Sequence, residues 1–469
     1  MTTVVICGDE TSPPPQCSDA RVVVLQNLCT HLRDLTDWIA DDETQLVLAV
    51  HRTHVDLGSI QAAVRRLGFD PLRVGILDLD TIATEADRSV PIAGTIARSL
   101  QAGNVDPAQV KLLPPDRSTR RALLSFGKPR YISAPGIDPS ACHAADGCRV
   151  CVDRCPADAL SVTAGAIAHD VDACVVCGHC VTACPAGAVE NPTATAPSIE
   201  AEIRAVVSAS TEPPKIRFRC RGAVVPAEPG WYQVEVPCTS MLTPGWVLAP
   251  LALGAAGVDV VACSAGGCPH RLDRHTVAML EDTATIAREL GIRIDQPLGH
   301  PVGHPVGVDE PLLGPGATAR VTQLLAASDA SWKADLGIAD IGQVTIDPTT
   351  CTACERCATV CPAGALESDH TADGVLISFD PRRCTGCTSC LSVCPELERG
   401  AISLRRELDI ADLRLGRRTV REEQVATCEI CGAPVAPHGM LARIEAMLGE
   451  DHAGALAIIG RRCQRCRGR

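Results

Sequence analysis

Aromatic side chains are nearly missing from this sequence: four Phe, four Trp and two Tyr among 469 residues. A chain of this length has room for three or more domains at about 100–200 residues each, and ordinary cores lean on large rings. Something other than ring packing must organise several of these domains. A basic stripe is also missing. The net charge of −13 reads as a solvated acidic surface and excludes nucleic acid as the expected partner. MTTVVICGDE has neither the basic region nor the apolar run of a secretory signal, so a cytoplasmic setting is expected. No apolar run reaches the about 20 residues of a membrane span. The longest candidate, MLTPGWVLAPLALGAAGV (241–258), is interrupted by Pro244 and Pro250 and closed by Asp259, so it reads as a buried helix. No G-x-G-x-x-G follows a strand pattern, so a tightly held FAD is not expected. Nor does any nucleophile–base pair, phosphate loop or open catalytic metal site stand out.

Cysteine is what the chain has instead. The total of 27 is odd, and many sit in C-x-x-C groups too close in sequence for a disulfide ladder, a pattern that points to metal. CTACERCATVCP (351–362) and CTGCTSCLSVCP (384–395) each match C-x2-C-x2-C-x3-C-P. That run is the signature of paired [4Fe–4S] clusters, in which the fourth cysteine serves the cluster of the other run. One cluster takes Cys351, Cys354, Cys357 and Cys394; the other takes Cys384, Cys387, Cys390 and Cys361. Residues 130–192 repeat this block. CVVCGHCVTACP (174–185) fits fully, whereas CHAADGCRVCVDRCP (142–156) carries three extra residues after Cys142. The assignments are Cys142, Cys148, Cys151 and Cys184 for one cluster, and Cys174, Cys177, Cys180 and Cys155 for the other. Zinc knuckles are the competing reading, but zinc favours paired ligands over triplets followed by Cys-Pro. Both blocks resemble bacterial-type 2[4Fe–4S] ferredoxin domains.

The remaining regions alternate strand and helix patterns. TTVVIC (2–7), ARVVVLQNLC (20–29), QLVLAVH (45–51) and PLRVGILDLD (71–80) read as buried strands. HLRDLTDWIAD, LGSIQAAVRRLG and PIAGTIARSLQAG read as helices, and LLPPDRSTRR (112–121) as an exit linker. Farther on, KIRFRC (215–220), YQVEVPC (232–238) and VDVVAC (258–263) are strand candidates that each end on a cysteine. Parallel strands present their C-terminal ends at one edge. Cys220, Cys238 and Cys263 are therefore expected at one rim, with Cys268 on the following loop and Gly266-Gly267 letting backbone N–H groups approach sulfur. Four structural thiols or a zinc site are the alternatives.

RFRC…VEVPC…MLTPGWVLAPLALGAAGVDVVACSAGGCPHR resembles the delta subunit of methyl-viologen-reducing hydrogenase over about 110 residues. The resemblance implies one [2Fe–2S] cluster on Cys220, Cys238, Cys263 and Cys268. It also implies electron exchange with hydrogenase, formate dehydrogenase or the flavin subunit of heterodisulfide reductase. The family's second His beside the third cysteine is Ser264 here, and only His270 follows Cys268. The first α/β region, through VVIC, VVLQNLC and the RTH of AVHRTHVDLGSIQAAVRRLGFDPLRV, resembles the N-terminal domain of that flavin subunit. Val50-His51 stand where that family has a cysteine before the RTH, so Cys7, Cys17 and Cys29 with His51 or His54 form an incomplete ligand set; free core thiols are the simpler reading. The family's flavin domain has no counterpart in this sequence.

CEIC (428–431) and CQRC (463–466) resemble zinc-ribbon turns, with Cys428, Cys431, Cys463 and Cys466 as tetrahedral zinc ligands; a rubredoxin-like single iron or a further cluster is the alternative. RRELDIADLRLGRR before them reads as a charged helical stretch, and GHPVGHPVG (299–307) as a surface turn. The expected fold class is thus α/β and α+β multidomain. Its parts are an α/β domain (1–125), a ferredoxin domain (130–192), a parallel-sheet α/β domain (210–335), a second ferredoxin domain (340–405) and a zinc-ribbon-like tail (420–469). Several redox centres without a catalytic pocket read as an electron-transfer subunit within an oxidoreductase complex rather than a stand-alone catalyst, with flavin-containing or hydrogenase-like partners in a hetero-oligomer. A reductase acting directly on a thiol or sulfur substrate, and an iron–sulfur sensor or scaffold, are the other classes.

Overall fold

The computed structural model describes residues 2–8, 20–32, 35, 45–84, 88–113, 128–263, 268, 270–293, 298–299, 310–371, 374–448 and 458–467. Most of the 31–41 helix, most of the 112–121 linker, Cys17, Ser264, Gly266, Gly267 and nearly all of GHPVGHPVG lie outside them.

Val/Ile/Leu runs flanked by amphipathic stretches form the expected parallel sheet. Strands β1 (Thr2–Cys7), β2 (Ala20–Leu25), β3 (Gln45–Val50) and β4 (Gly75–Asp78) lie in the order β2-β1-β3-β4, all parallel. Helix α1 (Leu57–Arg66) is capped by the Asp56 side chain, which accepts from Ser59 N, and α2 (Ser89–Leu100) follows. Strand β4 is shorter than the 71–80 pattern because Asp70 accepts from Leu72 N and turns the chain before it. Leu112 and Leu113, read as the start of a linker, instead end β5 (Val110–Leu113). That strand pairs with β6 (Arg130–Ser133), a partner some 20 residues on that local composition does not reveal.

The first cysteine block holds β7 (Gly136–Ile137), α3 (Val150–Asp153), β8 (Leu160–Thr163), β9 (Ala166–His169), α4 (His179–Ala183) and β10 (Val189–Glu190). Its β7–β10 and β8–β9 pairs are antiparallel. After α5 (Ala196–Ala209) comes the middle sheet. Strands β11 (Lys215–Cys220), β12 (Trp231–Val236) and β13 (Gly257–Val261) are parallel, with β11 central, and β14 (Leu298–Gly299) closes the edge antiparallel. Between β12 and β13 lies α6 (Pro244–Ala252), all nine residues buried. Helices α7 (Asp273–Glu289) and α8 (Ala317–Leu325) complete this region. One hydrophobic core runs from Cys151, Val181 and Cys184 of the first block through Phe218 and Trp246 to Leu408 and Leu413.

The second block comprises β15 (Lys333–Asp335), β16 (Gln343–Ile346), α9 (Arg356–Thr359), β17 (Leu366–His370), β18 (Gly374–Phe379), α10 (Ser389–Ser392) and β19 (Ile402–Arg405). The 405–418 stretch is helical only in part: β20 (Glu407–Asp409) pairs with β15, and Asp409 then caps α11 (Ile410–Leu415). The tail is joined to this block. Strand β21 (Arg418–Thr427) adds antiparallel to β18, then β22 (Pro434–Pro437) pairs with β21, and α12 (His438–Leu448) follows. Among the described residues no helix is long and apolar enough to cross a membrane.

Candidate metal centres

Three of the four cysteine runs share one backbone. The residues two and four beyond the first cysteine take positive φ: Val176 (53°) and Gly178 (83°), Ala353 (51°) and Glu355 (63°), Gly386 (65°) and Thr388 (67°). Positive φ is unfavourable for a residue with a Cβ, so its recurrence at equivalent places marks a loop shape held by its surroundings. The shape turns peptide N–H groups onto sulfur. Val176 N lies 3.3 Å from Cys174 Sγ, and Ala353 and Gly386 donate likewise to Cys351 and Cys384. The closing cysteines carry a second repeated device, an N–H from four residues on: Ala159 to Cys155 at 3.3 Å, Ala188 to Cys184 at 3.2 Å, Ala365 to Cys361 at 3.2 Å. The run with three extra residues departs from this backbone. Its positive φ sits at Gly147, before Cys148, and Arg149 is at −138°.

The side chains then gather in fours. One cavity of about 320 Å³ is lined by Cys155, Cys174, Cys177 and Cys180 and by no other cysteine. A second of about 320 Å³ is lined by Cys361, Cys384, Cys387 and Cys390, and a third of about 350 Å³ by Cys351, Cys354, Cys357 and Cys394. Four thiols around one recess, three times over, are what three copies of one group require. In the fourth set, burial and then the neighbouring Cys184, Cys148 and Cys142 push the Cys151 thiol up to about 12. Burial likewise raises Cys357, Cys384 and Cys390 to about 12. Buried thiols cannot ionise cheaply unless a cation compensates, and an iron–sulfur core supplies that charge. The residues present therefore fit the group.

In the middle sheet Cys220 ends β11, while Cys238 and Cys263 lie two residues beyond β12 and β13, so all three occupy the C-terminal rim. Cys220 and Cys263 sulfurs are 3.3 Å apart, and Ser240 Oγ donates to Cys238 Sγ at 3.0 Å. A hydrogen bond from Cys238 holds the Cys220 thiol below its ordinary range. Cys263 and Cys268 are half-buried and pack against the buried Cys220, Cys238 and Cys177. Burial, then the Arg221 charge, lowers the pKa of nearby His270.

The tail differs. Sulfurs of Cys428, Cys431, Cys463 and Cys466 all lie within 4.8 Å of one another, the one such group of metal-ligating side chains among the described residues. Cys431 is 3.6 Å from Cys463 and 3.7 Å from Cys466. Four sulfurs at about 2.3 Å from a tetrahedral ion stand about 3.8 Å apart, so this set fits a single ion.

In the first sheet, the structure brings Cys7, Cys29 and His51 together. The Cys29 thiol hydrogen bond lowers Cys7 to about 6, and His51 N donates to Cys29 Sγ at 3.3 Å. His51 Nδ1 is 2.8 Å from Asp80 Oδ1, and the His54 ring centroid is 5.6 Å from that of His51.

The quartets also adjoin one another. Cys177 shares a buried cluster with Cys220 and Cys238, and Arg221 Nη2 donates to Val175 O at 3.0 Å. A Cβ on Gly178 would stand 2.7 Å from Met241 Sδ, so only glycine permits this approach. Cys180 packs on the core that includes Cys151 and Cys184. Thr385, Gly386 and Cys387 face Val150 and Arg154 across one cavity, and Cys357, Cys384 and Cys390 share a core. Sequence reasoning missed Arg221, Ser240 and that cavity; the one local hint was His179, set between Cys177 and Cys180.

Comparison with known families agrees with this geometry. Residues 134–185 and 343–395 each match the model of a 4Fe-4S dicluster domain, which provides for up to four [4Fe–4S] clusters. Residues 216–296 match that of methyl-viologen-reducing hydrogenase, delta subunit. Among curated proteins, none matches the chain. This is an iron–sulfur protein in which two 4Fe-4S dicluster domains flank a domain similar to the delta subunit of methyl-viologen-reducing hydrogenase.

Proposed function

We propose that the chain is an electron-transfer subunit whose five cysteine quartets form one unbranched line. The order begins at the middle-sheet rim with Cys220, Cys238, Cys263 and Cys268, the ligands of a [2Fe–2S] cluster. It continues to Cys155, Cys174, Cys177 and Cys180, then to Cys142, Cys148, Cys151 and Cys184. Across the inter-block cavity come Cys361, Cys384, Cys387 and Cys390, and last Cys351, Cys354, Cys357 and Cys394. When bound, such clusters supply one-electron carriage at potentials set by hydrogen bonds to sulfur and by burial. The chain's own residues fix the spacing: Gly178 admits Met241, Arg221 ties the Cys174 loop to β11, and N–H donors from Val176, Ala159 and Ala188 stabilise thiolate charge.

The observation that carries this reading is that neighbouring quartets share a buried cluster or a cavity wall. The half-buried Cys263 and Cys268 put one end of the line within reach of a partner. Similarity to the hydrogenase delta subunit supports a flavin-containing, hydrogenase or formate dehydrogenase-like redox subunit in that place. The tail quartet, with single-ion spacing, takes a structural zinc. Cysteine runs spaced for metal rather than for disulfides support a cytoplasmic setting.

Electron paramagnetic resonance of the fully reduced protein tests the line. Adjacent clusters give a spectrum split by spin–spin interaction, and the double variant C148S/C151S reduces that splitting by removing the central member. A sum of isolated signals from the unaltered protein would contradict the arrangement.

A further inference from the structure

The cavity between the two cysteine blocks and the middle domain has polar groups that neither block uses. It offers about 60 Å³ to water-sized occupants and is lined by Arg154, His179, His275, Asp340, Thr385 and Arg406, with Cys387 at its side. These residues come from the residue after α3, from α4 and α7, and from three separate loops, so the cavity exists only because the domains are packed together. His179 is 9 % exposed and Asp340 is 8 % exposed, yet His179 Nε2, Asp340 Oδ2 and Thr385 Oγ1 are buried without a hydrogen-bond partner. Thr243 Oγ1 lies against the Asp340 carboxyl and offsets part of the effect of burial on it. Buried polar atoms left in this way cost free energy unless something completes them.

Charge says what that something is. Arg406 is pinned by Ala339 O at 2.5 Å and Gly386 O at 2.8 Å, and Arg154 has no acidic partner among the described residues. Asp340 is the one acidic side chain on the wall, and burial raises its pKa. Its Oδ1 is already taken by the Thr318 hydroxyl. Asp340 and, behind the wall, Asp282 act on Arg406, but Asp282 already accepts from the Gly337, Ile338 and Ala339 N–H groups. The half-buried Arg154 is the cation left without an acidic partner, and such a charge in a recess favours an anion. Room of this size holds about four to six water-sized centres, which suits the oxygens of one small oxyanion.

We infer that this cavity is a binding site for a small inorganic oxyanion of phosphate size, held chiefly by Arg154 and completed by two groups on the wall that can donate to it, the Thr385 hydroxyl and His179 Nε2. Planar guanidinium matches oxyanion geometry with paired N–H donors. The bound anion would lie beside Cys387 and beside the loop that carries Cys177 and Cys180, at the junction of the two blocks. The inference stands on the cavity alone and is independent of the electron-transfer reading.

Equilibrium dialysis of the full metal-loaded chain against labelled inorganic phosphate, without oxygen and in phosphate-free buffer, tests it. One saturable site per chain is expected. R154Q should weaken it at least about tenfold, the worth of a charge-assisted hydrogen bond, with the visible absorption of the protein unchanged. His275→Phe, on a helix that carries no quartet cysteine, should weaken it several-fold, and it decides the matter if R154Q fails to hold its iron. R149Q, at a side chain 63 % exposed, should leave binding unaltered. No saturable uptake below about 10 mM, or equal losses in R149Q and R154Q, would overturn the site and leave ordered water as its occupant.

Discussion

The tail and the two cysteine blocks use one ligand type to build two kinds of site, and the contrast is geometric. In the tail, two knuckles bring sulfurs to 3.6 and 3.7 Å, the separation of ligands on one tetrahedral ion. In the blocks, three of the four cysteine triplets wind around a cavity lined by four thiols, with positive-φ residues at fixed places and N–H groups aimed at sulfur. A knuckle closes on an ion; a triplet opens to hold a cluster. The spacing of two intervening residues is common to both. What separates them is the third cysteine and the Cys-Pro that sends the fourth ligand to the neighbouring site.

Metal content gives the largest test of this contrast. Cys390→Ala should lose about four irons per chain and keep its zinc, whereas Cys463→Ala should lose zinc and keep its iron. Loss of both metals in both variants, read by elemental analysis, would show that the sites are not separate. Next in size, a zinc chelator should release the tail ion without bleaching the cluster absorption, and residues 428–467 should then become open to protease, since such sites fold with their metal.

A smaller effect probes how firmly the tail is joined to the second block. A Cβ at Gly374 would stand 2.2 Å from Glu423 O on β21. Gly374→Ala should therefore part β18 from β21 at a cost of about 1–3 kcal/mol, seen as a lower denaturant midpoint. An unchanged midpoint would mean that the tail hangs free of the block. The smallest effect is expected at Arg443, whose Nε lies 3.0 and 3.1 Å from the Glu396 carboxylate and ties α12 to the loop after Cys394. Arg443 is 33 % exposed and solvent weakens the pair, so Arg443→Ala should cost no more than about 1 kcal/mol. Slightly faster zinc release, with iron unaffected, would report it.

Much of the site was legible because cluster ligation is local. Three of the four runs carry three cysteines within seven residues, and in three sets the four thiols line one cavity. The rim of the middle sheet was legible for another reason: KIRFRC forms β11 over 215–220, and parallel strands must end together. Non-local pairing was not legible. Residues 112–113 belong to β5 only because β6 lies opposite, and 407–409 are extended only because β15 pairs with them. The same holds for β21, whose ten residues join the tail to the second block. The inter-block cavity draws on residues from Val150 to Arg406, and no periodicity in the sequence brings those together.

Iron, acid-labile sulfide and zinc per chain, measured on protein produced and purified without oxygen, test the central claim most directly. Five quartets in line with a separate zinc site predict about 18 irons, matching sulfide and one zinc. Iron near two with several zincs per chain would contradict it.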